Sequence, residues 1–337
     1  MSRKRKDFHN VKGLAYKDRT DIKINQRRPG AKNLDEIPFP ETDELPMYKY
    51  NEPVSRNYPN ARVVTSRGCS YGCMFCVEPL MTNRIYRKRS VGLVVEEIKM
   101  LIEKYNVKEI FFDDALFTIP RAKEIAKALS ENGIKISWTC WMDWRISLDD
   151  LRIIKKSGCS AIKFGVESSD SKILESLGKP IYIDNIRRLV KDCKKAGILS
   201  HGSFMLGLPG ETAESMKDTV DLAFSLGLNS CQFTVATPLP GTQFYKEVSE
   251  KGWLATHDWS KFESVASPVV EYPNCTREDI ISAVEEVRRR KVKQFLKNPI
   301  NALLYIWKLV RIKGVRDFTD DFLTKARFVF KTIFYKK

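Results

Sequence analysis

A partial α/β barrel of six βα units is the fold this sequence predicts, and three observations predict it. From residue 61 onward, short β-branched or aromatic runs alternate with longer stretches of helical period. Several of those stretches close on a glycine suited to a left-handed cap, namely Gly133, Gly158 and Gly197. Right-handed crossovers between parallel strands then curl such units into a barrel, with ligands gathering where strands end and loops begin.

Taken in order, the strands fall at ARVVTS (61–66), KEIFFDD (108–114), KISWTC (135–140), AIKFGVE (161–167), LSHGSFMLG (199–207) and SCQFTVA (230–236). The helical stretches between them include VVEEIKMLIEKY, RAKEIAKALSENG, LDDLRIIKKSG, IDNIRRLVKDCKKAG and TAESMKDTVDLAFSLG. Residues 1–58 carry Pro, Asn and charge without sustained periodicity and read as an extended lead-in. The barrel core spans 59–246, and 247–337 forms a mainly helical, basic C-terminal extension with a strand-like PVVEYP (268–273) and a long helix from about Arg277 to Leu296.

The chain has 337 residues, 43% hydrophobic and 30% charged, which suits one globular catalytic domain and excludes global disorder. Its net charge of +16 is concentrated at the ends, with ten Lys/Arg against three Asp in 1–30 and nine against three in 298–337. Such ends fit anionic partners or simply solvated cationic faces. The apolar run Ile300 to Val310 contains Lys308 and is too short for a bilayer, so no spanning helix is expected. The start MSRKRKDFHN lacks the apolar stretch of a secretory signal, so a cytoplasmic location is expected and disulfides are not. Eight cysteines in that compartment, three of them clustered, point to a metal site.

The cluster is Cys69, Cys73 and Cys76 in GCSYGCMFC, directly after the first strand, with Gly68 and Gly72 loosening the backbone. Thiolates are soft ligands for iron–sulfur clusters or zinc, and a [4Fe–4S] cube ordinarily takes four protein ligands. Three would leave one iron for a chelating substrate. The residues alone leave open a zinc ion with a distant fourth ligand, since Cys140, Cys159, Cys193, Cys231 and Cys275 are also present. No second close pair of cysteines accompanies the triplet, so these five are expected to pack as small hydrophobes.

CxxxCxxC with Phe75 before the last cysteine, closing the first strand of repeated βα units, resembles the radical S-adenosylmethionine (SAM) superfamily over residues 60–245. The resemblance implies a partial TIM-like barrel of the radical SAM type, a [4Fe–4S] cluster on the three cysteines, and SAM chelated to the fourth iron. GLAYKDRTDIKIN and LDEIPFP resemble the lead-in of the cobalamin-dependent branch. Nothing before residue 12 supplies that branch's cobalamin domain or its cobalt-ligating His loop, so the expectation divides between a shortened member without cobalamin and one served by a separate cobalamin-binding partner.

The same resemblance implies roles along the strand ends. Asp113 and Asp114 stand where the superfamily commonly has a glycine-rich segment contacting the methionine amino group; the chain departs from that pattern but resembles the double-Asp form of its branch, and one Asp capping the next helix is an equal alternative. Glu167 matches the contact to the ribose hydroxyls; without a ligand, a buried Glu needs another hydrogen-bond partner. Lys179 matches the cation for the methionine carboxylate, with a solvated surface lysine as its alternative. In GSFMLGLPGET, Ser203 would bond the ligand while Gly207, Leu208 and Pro209 line the adenine; a Pro-Gly turn into a helix whose first turn carries Glu211 is compatible with this. TPLPGTQFY (237–245) resembles the closing segment of the branch. The branch commonly has an Arg beyond WTC where this chain reads WTCWMDWRIS; Arg145 is the candidate replacement. Trp138, Trp141 and Trp144 are expected to pack rather than stack on substrate.

Reductive cleavage of SAM to a 5′-deoxyadenosyl radical is the implied chemistry, with an electron donor such as flavodoxin or ferredoxin as partner. The branch includes methylation, ring formation and carbon–carbon coupling, among which the sequence does not choose. The basic, aromatic tail suggests peripheral contact with the inner face of the membrane, so that the substrate is a small molecule or a lipid; an ordinary helical cap over the barrel is an equal alternative for the tail. Two rival readings are an RNA-modifying radical SAM protein, supported by charge but without a recognisable RNA-binding module, and a shortened noncatalytic metal-binding or interaction protein.

Overall fold

The computed structural model describes residues 8–47, 57–179, 181–265 and 267–297. The basic tail 298–337, on which the membrane expectation rests, lies outside the described residues.

The lead-in is less extended than the sequence suggests. It folds into an antiparallel hairpin, β1 (Ala15–Asp18) and β2 (Asp21–Ile24), because Arg19 takes the left-handed conformation (φ 57°) that a two-residue turn needs. A 3-10 turn at Leu34–Glu36 follows, capped by Asn33. The segment is strapped to the barrel: Arg27 donates to the Met81 carbonyl at 2.6 Å, Asp35 accepts from Ser90 N at 2.7 Å, and Leu34 is buried.

Chain order then runs β3 (Asn60–Val63), β4 (Ser66–Arg67), α1 (Glu78–Thr82), β5 (Arg87–Lys88), α2 (Val91–Tyr105), β6 (Glu109–Phe117), α3 (Ile119–Glu131), β7 (Ser137–Met142), α4 (Leu148–Lys156), β8 (Cys159–Glu167), α5 (Ser171–Ser176), α6 (Ile183–Ala196), β9 (Leu199–Leu206), α7 (Ala213–Ser225), β10 (Ser230–Val235), α8 (Gln243–Glu250) and α9 (Arg277–Leu296). Six of the strands form one sheet in the order β10-β9-β8-β7-β6-β3, every neighbouring pair parallel. This is the curled half-barrel expected from the βα alternation. Among the described residues it does not close: β3 and β10 are its terminal strands, and at the end of β10 the Val235 N–H donates to the Ser264 carbonyl at 3.0 Å.

The first strand is shorter than ARVVTS. Thr65 and Ser66 leave the sheet because the Asp114 carboxylate takes the Thr65 N–H and both hydroxyls, and Ser66–Arg67 pairs antiparallel with β5 instead. The short helices α1 and α5 carry too few residues for a periodicity signal. Helix starts follow side-chain capping, with Ser90, Thr118, Ser147 and Thr212 each accepting from a first-turn N–H, and α6 ends on Gly197 at φ 67°.

Alternation along the strands sorts side chains to two faces. Ile110, Phe112, Trp138, Cys140, Ile162, Phe164 and Phe204 join the helix-side core. Trp138 is fully buried, edge-on to Phe112 and Phe117 at 5.4 and 6.1 Å, with its indole N–H donated to the Ser157 carbonyl. On the concave side, the Lys163 ammonium lies 4.4 Å from the Phe111 ring and 5.5 Å from Trp141, and His201 Nδ1 shares a hydrogen bond with Ser230. A second core, with Leu206, Leu208, Met216, Phe244, Val269 and Ile280, lies under the C-terminal extension, whose α9 packs on α7, β9 and β10. Here Glu211, fully buried, accepts from the Gly207 and Leu208 N–H groups at 2.8 and 2.9 Å, and Tyr272 donates to the Gly207 carbonyl at 2.9 Å. Burial pushes the Glu211 carboxyl up to about 7 despite those two donors.

Two outcomes follow. Trp138→Ala should cost about 3–5 kcal/mol, read as a lower urea midpoint at unchanged slope. For Glu211 the folded state binds the proton more tightly than the unfolded chain, so its contribution is fully present below the usual glutamate range and falls as pH rises toward 7. Its total is on the order of 3 kcal/mol, and Glu211→Gln should flatten the stability profile over that window in urea titrations at several pH values.

Candidate functional site

The cysteine loop leaves β4 through Gly68, whose φ is 103° and whose Cβ, were there one, would collide with the Ile85 carbonyl oxygen. Beyond it, Cys69, Cys73 and Cys76 are half-buried free thiols lining a single cavity of about 510 Å³. Backbone bonds hold the loop: Met74 N to the Leu177 carbonyl, Phe244 N to the Met74 carbonyl and Cys76 N to the Cys73 carbonyl, each at 3.1 Å. Between the first two cysteines, Tyr71 donates its hydroxyl to Asp143 at 2.9 Å, and the Arg145 guanidinium bonds Asp143 and lies 5.5 Å from the Tyr71 ring. Burial raises the Asp143 carboxyl above the usual range.

Across the cavity, at the carboxyl end of β8, Glu167 adopts φ 68°, a conformation uncommon for a residue with a side chain. Its Oε1 accepts from Lys179 Nζ at 2.5 Å, and both side chains line the cavity. Gly165 lies against them, and a Cβ there would meet the ends of the Glu167 and Lys179 side chains and displace their paired positions. Burial alone would disfavour the Lys179 charge, but Glu167 and the neighbouring thiols outweigh it and raise the lysine. Burial likewise pushes the thiols up, Cys69 to about 11, with repulsion from Cys76 adding to it and Lys179 opposing.

Phe75, Glu167, Lys179 and Ser203 therefore meet the three cysteines at one cavity. Ser203 accepts from Gln232 Nε2 at 3.1 Å. Five other sequence candidates do not line it. Asp113 pairs with Arg62 at 2.8 Å, and Asp114 points to the opposite face of β6 and is consumed by Thr65 and Ser66. Ala115 and Leu116, just beyond, line the cavity in their place. Gly207, Leu208 and Pro209 also lie outside the lining: the first two give their N–H groups to Glu211, and the Leu208 side chain is fully buried in the second core. Conversely, Trp141 and Trp144 line the cavity, as do Tyr71, Asp143 and Arg145, while only Trp138 packs wholly inside. Period-two alternation in β9 and β10 would have found Met205 and Thr234 from Ser203 and Gln232.

The donor set suits a cluster better than a single ion. Among the described residues no three His, Cys, Asp or Glu side chains converge on one metal ion. Cys140, Cys159, Cys193 and Cys275 are buried elsewhere, and Cys231 is half-buried on β10. Three thiols spread around one cavity match a cube bound through three corners, whose positive irons would reverse the cost of deprotonating buried thiols. No helix among the described residues is long and apolar enough to cross a membrane.

Residues 63–223 match the family described as the Radical SAM superfamily. The chain is 36% identical over 282 residues to an uncharacterized methyltransferase of Pyrococcus horikoshii, covering 82% of this chain and 60% of that protein. It is 30% identical to the cytidylyl-2-hydroxyethylphosphonate methyltransferase of Streptomyces wedmorensis, over 66% of this chain and 45% of that one. The chain thus spans about half the length of these curated relatives. In fold, it superposes on the cobalamin-dependent SAM radical enzyme OxsB, bound to aqua-cobalamin and SAM, with a TM-score of 0.63 at 15% identity over 96% of this chain and 52% of OxsB. With its half-barrel, its three cysteines on one cavity and these relatives, the chain belongs to the radical SAM superfamily.

Proposed function

We propose that the chain is the catalytic core of a radical SAM enzyme of the methyltransferase type. The observation that carries this reading is the convergence of Cys69, Cys73, Cys76 and the Glu167–Lys179 pair on one cavity at the carboxyl ends of parallel strands. In this reading Cys69, Cys73 and Cys76 would hold a [4Fe–4S] cluster, leaving its fourth iron for the amino and carboxylate groups of SAM. Bound and reduced, the cluster would supply the one electron that cleaves SAM to methionine and a 5′-deoxyadenosyl radical, which would take hydrogen from the substrate.

The chain's own residues bind and orient. Lys179 offers a point charge to the methionine carboxylate and Glu167 an acceptor to the ribose diol, so SAM would exchange their mutual ion pair for contacts to itself. Phe75, Met205 and Leu239 supply apolar walls that keep water from a radical, and Ser203, set by Gln232, gives a polar point on the far wall. No acid or base has to begin the reaction. Methyl transfer is favoured over other radical outcomes because the Pyrococcus and Streptomyces relatives are methyltransferases. A cobalamin-binding partner or segment stays within the proposal through the likeness to OxsB. So does a small redox protein, such as flavodoxin or ferredoxin, as electron donor. The basic tail keeps a lipid-like substrate in view, which liposome flotation of the full chain against a chain ending at 297 would test.

Anaerobic reconstitution with iron and sulfide, followed by dithionite and SAM, should yield 5′-deoxyadenosine. Protein that takes up zinc instead, with no brown cluster absorbance, would overturn the reading. Cys73→Ala should abolish the product. Glu167→Gln should weaken SAM binding about tenfold, the worth of one charge-assisted hydrogen bond, in equilibrium dialysis.

A further inference from the structure

Immediately before the cysteine loop the chain passes through Thr65 and Ser66, which buried charge holds in addition to the short pairing of β4 with β5. Asp114, 2% exposed, reaches from β6 and accepts from Thr65 N, Thr65 Oγ1 and Ser66 Oγ, each at 2.6 Å. Arg121, 1% exposed, comes from the first turn of α3. It donates Nε to Thr65 Oγ1 at 3.1 Å and one terminal nitrogen to the Thr65 and Arg89 carbonyls at 3.1 and 2.9 Å. The Thr65 hydroxyl thus donates to an anion and accepts from a cation, and the N–H and C=O of the same residue are bound by the same two side chains. Arg89 N adds a further bond to the Thr65 carbonyl at 2.9 Å.

Burying a carboxylate and a guanidinium is a poor way to gain stability, because apolar side chains of similar volume often do as well or better. What charge-assisted bonds supply is direction. Here they fix one residue at its N–H, its carbonyl and its hydroxyl, four positions before Cys69, and the intervening Gly68 is pressed against the Ile85 carbonyl. Residues 65–68 are in this way a rigid approach to the first thiol.

We propose that Asp114 and Arg121, bridged by Thr65, are positioning residues for the cysteine loop, aiming Cys69 so that the cube seats with its unligated iron toward SAM. The inference rests on the cluster reading above and concerns residues that touch neither cluster nor SAM.

The test compares the unaltered full chain with Thr65→Val, an isostere lacking the hydroxyl, with Asp114→Asn, and with Thr65→Ser as the conservative control. Each is reconstituted anaerobically and followed by circular dichroism melting, by the rate of iron loss to a chelator, and by the change SAM induces in the electron paramagnetic resonance signal of the reduced cluster. Thr65→Val and Asp114→Asn should stay folded, lose iron about 10–100-fold faster, as loss of outer-shell support does at metal sites, and show a weakened SAM-induced change. Thr65→Ser should behave as the unaltered chain.

A Thr65→Val protein with unaltered iron retention and SAM response, even at a lower melting temperature, overturns the proposal, as does one that fails to fold. Should Asp114→Asn alone not fold, Thr65→Val decides. If the unaltered chain takes up no cluster, the cluster reading fails separately. The clamp is then judged by the alkylation rate of Cys69 relative to Cys76 in the apo chain, which should rise in Thr65→Val and be restored in Thr65→Ser; an unchanged ratio overturns it.

Discussion

Parallel pairing in sequential order is the constraint from which the site follows. Because β3, β6, β7, β8, β9 and β10 all run the same way, each loop after a strand emerges on one rim. The cysteine loop, the Asp143 segment, Glu167 and the segment after β10 come from different parts of the chain, yet the cavity they line needs no long-range search beyond sheet assembly. Within that rim the dominant local interaction is the ion pair of Glu167 and Lys179. It engages a carboxylate whose residue has an uncommon backbone conformation, brings a cation beside three thiols, and lies directly against Gly165.

The parts of this arrangement legible in the sequence are those written contiguously or periodically. Three cysteines within eight residues announce themselves, and the β-branched alternation of AIKFGVE carries Glu167 to a strand end. What was not legible depends on facing. Asp113 and Asp114 are chemically identical in the sequence, but one turns to Arg62 on the concave side and the other to Thr65 and Ser66, so a doublet expected at the ligand serves the framework. Trp138, Trp141 and Trp144 are spaced by three; because β7 runs on to Met142, alternation puts Trp138 in the core and Trp141 on the cavity wall, while Trp144 reaches the wall from beyond the strand's end.

The GLPGE segment shows the same limit from another side. Its turn into a helix was readable, whereas the backward reach of Glu211 to the Gly207 and Leu208 N–H groups was not, because that bond depends on how tightly the turn closes. Once those donors are spent and Leu208 is inside the second core, the segment supports the rim from below. Tyr71 was missed for a related reason: its meeting with Asp143, beside Arg145, joins loops more than seventy residues apart, a separation that no local pattern encodes.

The unclosed seam carries a consequence for solubility. Among the described residues the barrel stops at six strands, and an open sheet has two backbone edges of the kind that can recruit foreign strands. One edge is only four residues long and bears Arg62, and the other has its last N–H occupied by the Ser264 carbonyl. Brevity, a charge and a borrowed carbonyl thus stand in for closure, guarding the gap against misassociation.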